Sequence, residues 1–381
     1  MTRNLRPRVL VVGMFDSIHF VRWLEQFSRE KIDFELIPSS PHRRTHERLR
    51  KLLKQGGPET ASFTIPRGVR TLSLPIWVAD RVLRDGLRSL LIHSRIKSLE
   101  PDYLHAIEIQ HAGYPSRKAL ERLPASGRPV FVVTNYGSDI FWFARHPRHA
   151  KEIAAVLAIC DRYSAECSRD IELAESLGFS GKSLPVRPNA GGFAAEVLEK
   201  PLLGIEHRRI ILVKGYHGWV GRAKVALAAL GRISEQISGY SIVLFSCNKT
   251  TMRAARKLSR ETGLKVQAFG KKKLNHSEIL DLHAQASIFV GLSLSDGIST
   301  SMLEAMAMGA IPVQTSTACC DEWFAQTGVK VEDISVEEVA KAILRGMELA
   351  NEPSNRIINR ETIRSKALEE YVRDEALEFY R

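Results

Sequence analysis

A chain of 381 residues exceeds a typical single domain and suits two domains of ordinary size. Hydrophobic residues make up 44% and charged residues 26%, as in a soluble protein with real cores, and no apolar run approaches the ~20 residues of a membrane span. A formal net charge of +12 points to an anionic partner: nucleic acid, an anionic membrane surface or phosphorylated small molecules.

The N-terminus, MTRNLRPRVLVVG, shows no signal-peptide core, because VLVV enters a strand at once. Short apolar runs then alternate with helical periods. Strands are expected at 8–14, 33–39, 103–109, 129–137, 162–166 and 182–188, with helices at 19–30 and 168–178 among the segments between them. Two segments carry much of the positive charge, 41–55 and 81–97. In the second, Leu83, Leu87, Leu90, Leu91 and Ser94 form a helical stripe flanked by Arg81, Arg84, Arg88 and Arg95. The pattern fits a helix docked on a sheet with a solvated basic face, and equally a helix lying on anionic lipid.

Residues 187–204 combine Pro, Asn and Gly without any period and are the best linker candidate. A second alternating series follows, with strands at 208–215, 240–246, 264–270, 286–293 and 310–315, and a mixed-charge helix closes the chain. The expected fold class is α/β: two doubly wound Rossmann-like domains with a cleft between them. The expected bounds are 1–190 and 205–360, with a C-terminal helix at 361–381 packing back on the first domain.

The most informative stretch is SDGISTSMLEAMAMGAIPVQT, 295–315. An apolar strand leads into a loop of small polar residues, then a two-turn helix ended by Gly309, then the next strand. Parallel sheets present ligands at this strand end. The amides of the loop and first helical turn, with Gly297 and the hydroxyls of Ser299, Thr300 and Ser301, make an anion site that also includes Ile298. Glu304 stands alone among Met, Leu and Ala. Ser301-x-x-Glu304 fits a capping box, in which Glu304 reaches back to the N-cap amide. A buried carboxylate beside a phosphate site can instead accept bonds from two vicinal ribose hydroxyls. The pattern leaves both open, and one residue can do both.

FVGLSLSDGISTSMLEAMAMGAIPVQT resembles the nucleotide-sugar signature of GT-B glycosyltransferases, in particular the large retaining family four, the glycosyl transferases group 1. That signature spaces two acidic residues by seven others, and Asp296 and Glu304 fill the slots. Asp296 stands where Glu is usual, so its reach toward the donor sugar or phosphate is shorter; Glu304 matches the ribose-holding residue. PDYLHA (101–106), NYGSDI (135–140), 17–37, 276–290 and 320–331 resemble further blocks of the family, in the same order.

The resemblance implies a glycosyltransferase with a nucleotide-diphosphate sugar donor, a glycan, lipid-linked or small-molecule acceptor, and no cofactor or metal. It places Lys214 and Arg222 on the leaving diphosphate, with the order of the two residue types inverted and Lys224 as substitute. It puts the Gly13-Met14 backbone near the donor, and His19 and Tyr136, where His is common, on the acceptor side. VVGMFDSIHF lacks G-x-G-x-x-G, so a dinucleotide fingerprint is not supported. Asp139 is either an acid/base or sugar-binding group or the N-cap of the helix that follows. Rival functions on the same fold are a nucleotide-sugar epimerase and a non-catalytic nucleotide-sugar binder. Nucleic acid finds no motif, and aromatic residues are only 7%, too few for stacking platforms.

Five cysteines, none in C-x-x-C spacing, suit a reducing cytoplasm, and Cys319-Cys320 is expected to be a reduced structural pair. His42/His46 and His146/His149 have helical spacing but no carboxylate partners, which favours surface residues over metal ligands. A cytoplasmic location, peripheral at the inner face of a membrane, fits the basic first domain.

Overall fold

The computed structural model describes residues 6–40, 45–83 and 85–381. His42, Arg84 and the side chain of Arg81 lie outside the described residues. The chain forms two compact units: Met1–Gly192 with Glu370–Arg381, and Phe193–Glu369.

The first unit holds seven parallel strands: β1 (Arg8–Gly13), β2 (Asp33–Pro38), β3 (Ser62–Thr64), β4 (Tyr103–Ile107), β5 (Val130–Thr134), β6 (Arg162–Ser164) and β7 (Lys182–Ser183). Their order is β3-β2-β1-β4-β5-β6-β7. The Val- and Leu-rich β1 is covered on both faces, as a parallel sheet requires: Leu10 and Val12 join one core cluster, Val9 and Val11 another. β3 escaped sequence reading because three residues carry no period. β7 shrinks from the expected seven residues to two, since the prolines in KSLPVRP supply no N–H to a ladder.

The second unit holds β8 (Ile210–Lys214), β9 (Ser241–Cys247), β10 (Val266–Gly270), β11 (Ala286–Gly291), β12 (Ile311–Thr315) and β13 (Val329–Val331). The order is β10-β9-β8-β11-β12-β13, all parallel. Chain order reverses direction between β8 and β11, and that switch point is where such sheets open a ligand crevice.

Four expectations change. The helix expected at 19–30 ends at Glu25 and continues as turns. The division between the units falls inside the expected linker 187–204, after Gly192, but that segment contains a short helix, Ala195–Glu199, where no period was legible. The closing helix is two, Pro353–Lys366 and Glu369–Ala376. The basic segment also splits, into helices Val69–Leu83 and Gly86–Leu99, around Asp85 at φ +65°. The face buried by Gly86–Leu99 is not the leucine stripe but Arg88, Ser89, Ile92 and Ile96. Arg88 can be buried because Asp80 (3.0 Å), Asp85 and the carbonyls of Ser39 (2.5 Å) and His111 (3.0 Å) satisfy its guanidinium. Leu83 and Leu90 are exposed instead.

Candidate functional site

In the second unit, Val290 registers with Val213 on one side and Val313 on the other, so Lys214 and Gly291 close their strands at one level. The loop after β8 folds onto this end. Gly221 bridges Ser293, and the Arg222 amide donates to the Leu292 carbonyl at 2.9 Å. The loop after β11 is held from the β12 side. Thr315 Oγ1 accepts from the Ser293 amide (3.1 Å), Thr317 Oγ1 donates to the Ser293 carbonyl (2.6 Å), and the Asp296 amide donates to the Thr317 carbonyl (3.2 Å).

That loop feeds helix Thr300–Met308, which is buried from Ser301 to Met308. Its N-cap is Ser299, whose side chain makes no cap bond, while the Met302 amide donates to the Ser299 carbonyl at 2.9 Å. The expected capping box at Ser301 and Glu304 does not form. With Ser299 as N-cap, Glu304 is one residue past the first turn's end and too far along to reach back. The capping box that does form belongs to helix His276–Gln285, between Asn275 and Glu278. Gly309 ends Thr300–Met308 at φ +83°, a conformation open to glycine, and a Cβ there would meet Arg208 Nη2 at 2.8 Å.

Glu304 turns instead to helix His276–Gln285. His276 Nε2 lies 2.8 Å from Glu304 Oε1, and His283 Nε2 lies 3.7 Å from Oε2. Burial alone would push this carboxyl up. The hydrogen bond from His276 and the positive charge around it, including Lys214, outweigh burial and hold it below its ordinary value. Glu304 is therefore an ionised acceptor beside a helix N-terminus, with Lys214 close enough to act on it. Burial pushes His283 down to about 4 against the pull of Glu304, so its ring is neutral at pH 7.

Arg222 is placed differently from Lys214. Its guanidinium donates to the carbonyls of its own loop, Gly218 at 2.8 Å and Gly221 at 2.9 Å. This answers the cost of a cation at a helix start by local bonds. Of the expected donor residues, the structure gathers Lys214, Gly297, Ile298, Ser299, Thr300, Ser301 and Glu304 at the ends of β8 and β11, and Asp296 lies in the same loop.

The first unit has its own switch point, between β1 and β4. Gly13 ends β1, and a Cβ there would run into the Phe20 ring. His19 and Tyr136 come together, ring centroids 6.2 Å apart. Asp139 is not the expected N-cap, a place taken by Gly137. Its carboxylate accepts from the Tyr136 amide at 3.0 Å and the Ile109 amide at 3.2 Å, tying the loop after β5 to the π turn after β4. Burial, then the nearby carboxylates of Glu108 and Asp170, push Asp139 well up. Sequence reasoning missed Glu108. It sits at φ +78°, accepts from the His111 amide at 2.6 Å, and burial pushes it up to about 7. Its only signal was a charge at the end of an apolar strand.

The remaining expectations fall into structural roles. His105 of PDYLHA is buried between Tyr380 Oη (2.8 Å) and Thr134 Oγ1 (2.7 Å). His149 pairs with Tyr114 Oη at 3.0 Å, and His46 caps helix Glu47–Leu52. All five cysteines are buried free thiols, and burial pushes Cys320 up to about 12.

Residues 207–348, which contain this second site, match the family described as Glycosyl transferases group 1. The second unit is a group 1 glycosyltransferase domain. No curated protein matches the chain in sequence. Solved structures match it throughout. HepE of Anabaena in complex with UDP-glucose is 12% identical, with 97% of this chain and 98% of that chain covered and a TM-score of 0.67. Sucrose-phosphate synthase of Thermosynechococcus elongatus is 14% identical, with 99% and 98% covered and a TM-score of 0.68. The lipopolysaccharide outer core galactosyltransferase WaaB is 13% identical, with 98% of each covered and a TM-score of 0.69. At these identities the likeness shows the fold, GT-B over the whole chain. With the group 1 domain on that fold, the protein is a glycosyltransferase, as the resemblance of 286–315 implied.

Proposed function

We propose that the protein moves a sugar from a nucleotide-diphosphate sugar to a glycan, lipid-linked or small-molecule acceptor, with retention of anomeric configuration. The observation that carries this is Glu304: an ionised, buried carboxylate at the β8/β11 switch point, beside Lys214 and a helix N-terminus whose N-cap side chain makes no cap bond. Its lone pairs suit the vicinal hydroxyls of ribose. The amides of Gly297, Ile298, Ser299, Thr300 and Ser301 and the Lys214 ammonium suit the diphosphate. As the bond to the anomeric carbon breaks, negative charge builds on the diphosphate while the sugar becomes oxocarbenium-like. Fixed dipoles and a cation aimed at that charge stabilise the transition state more than the bound donor.

Asp296 lies nearest in sequence to this anion site and is the candidate contact to the donor sugar. Arg222 shapes the loop over it. Gly13, His19, Tyr136 and Asp139 form the candidate substrate end of the first unit, with Asp139 holding the loop that carries Tyr136. Retention rests on the likeness of 286–315 to the retaining family, and the nucleotide-sugar donor is supported by the UDP-glucose complex of HepE.

Thermal shift with UDP-, GDP- and ADP-sugars, followed by transfer assays on the donor that binds, tests the proposal. Stabilisation by one donor with transfer of its sugar is expected. Epimerised donor without transfer, or binding without turnover on any acceptor, overturns it.

A further inference from the structure

Helix His276–Gln285 aims two imidazoles at one carboxylate. His276 and His283 are seven residues apart, two turns of one face. The capping box of Asn275 and Glu278 fixes where this helix starts, and so where the His276 ring stands. That side chain is 59% exposed while the Glu304 side chain is 9% exposed, and they meet at 2.8 Å. His283 is fully buried against the rings of Phe245 and Phe289, with centroids at 5.9 and 5.2 Å. Among the described residues neither of its ring nitrogens has a hydrogen-bond partner, and Nε2 lies 3.7 Å from the second Glu304 oxygen. A buried imidazole left unpartnered is costly, and an apolar residue would fill the same space without that cost.

We propose that His276 and His283 are positioning residues for the nucleotide ribose, acting through Glu304. The inference rests on Glu304 being the ribose acceptor. An ionised carboxylate offers about four acceptor positions. His276 occupies one, leaving enough for two vicinal hydroxyls, so it stays in place when the nucleotide binds. The terminal torsion of a glutamate is broad, and a carboxylate held at one oxygen still swings. A second imidazole packed beside the other oxygen narrows that swing, and with it the plane in which the remaining lone pairs point. A neutral ring suits this role. A lysine or arginine at 283 would pair with Glu304 and compete with the ribose.

Calorimetric titration with UDP, GDP and ADP, and with the 2′,3′-dideoxy form of the one that binds, tests the inference. The unaltered chain should prefer the ribonucleotide by about tenfold or more, and Glu304→Ala should abolish that preference. His276→Ala and His283→Phe should each weaken ribonucleotide binding about three- to tenfold and leave dideoxynucleotide binding within about twofold. His276→Gln, which keeps a donor, should recover most of the loss. His276 is exposed, so its variants keep the fold even if His283→Phe does not. A preference that survives both His276→Ala and His283→Phe but not Glu304→Ala overturns the inference alone, as does equal weakening of both ligands. A preference that survives Glu304→Ala, or binding of none of the three nucleotides, overturns the ribose role of Glu304 and this inference together.

Discussion

Arg208 Nη2 donates to the Met308 carbonyl at 2.7 Å, closing the far end of the helix whose near end faces the candidate diphosphate site. Its Nη1 donates to the Ala286 carbonyl at 2.9 Å and its Nε to Leu203 at 3.1 Å, so one buried cation ties this helix to the start of β11. Burial brings Arg208 down to about 10, still charged at pH 7, and it sits at the negative end of the helix dipole. Arg208→Met should lower stability by about 3 kcal/mol or more, because buried carbonyls lose their donors. Denaturant unfolding measures the loss, and an unchanged midpoint would show that the clamp is dispensable.

Glu304→Ala separates ligand from scaffold. Its carboxylate makes no cap bond, so stability should change by less than about 1 kcal/mol. Nucleoside diphosphate affinity should fall by ~1–3 kcal/mol. Calorimetry and thermal unfolding on the same variant decide it.

Lys214 and Arg222 should behave unlike each other. Lys214→Met should weaken a nucleoside diphosphate by ~1.5–3 kcal/mol and the matching nucleoside hardly at all, because the proposed role of the ammonium is on the phosphates. Arg222→Met should disturb both ligands alike, by loosening the loop its guanidinium holds at Gly218 and Gly221. Competition binding with the two ligands reads the difference.

Glu108 makes a pH prediction. Its folded value is about 7 against an ordinary 4.5, so the folded chain holds this proton more tightly than the unfolded one. Stability is therefore lost as pH rises from about 4.5 through about 7, by about 3 kcal/mol when complete. Glu108→Gln keeps an acceptor for the His111 amide and removes the charge. Its unfolding temperature should fall less than that of the unaltered chain between pH 5 and 8. Parallel profiles would refute the assignment.

A membrane surface remains a proposed partner. No helix among the described residues is long and apolar enough to cross a membrane. Helix Val69–Leu83, however, exposes Leu72, Val78, Val82 and Leu83, with Leu90 exposed on the next helix, in a chain of net charge +12. The chain should sediment with anionic vesicles at low salt, and Val78→Asp with Val82→Asp should weaken that binding at least threefold. Absence of binding at low salt removes the membrane from its partners.

Legibility followed the range of the interactions. The alternation of apolar runs showed two parallel sheets, and the spacing of Asp296, Glu304 and Gly309 along one strand–loop–helix unit pointed to the candidate site. Those features are local: a strand end, a helix start and a glycine stop sit within about twenty residues. The face that helix Gly86–Leu99 buries was not legible, because Arg88 enters the interior on partners as distant as Ser39 and His111.

The sequence by itself determined the fold class and the position of the carboxylate, since periodicity and turn chemistry act between neighbours. Only the tertiary structure decided what that carboxylate does. Ser301 is three residues from Glu304 and His276 is twenty-eight. A capping box is a matter of register, and the helix starts where the loop pinned by Thr315 and Thr317 lets it start, at Ser299. With the cap out of reach, a buried charge takes the nearest donor, and the fold brings His276 to it.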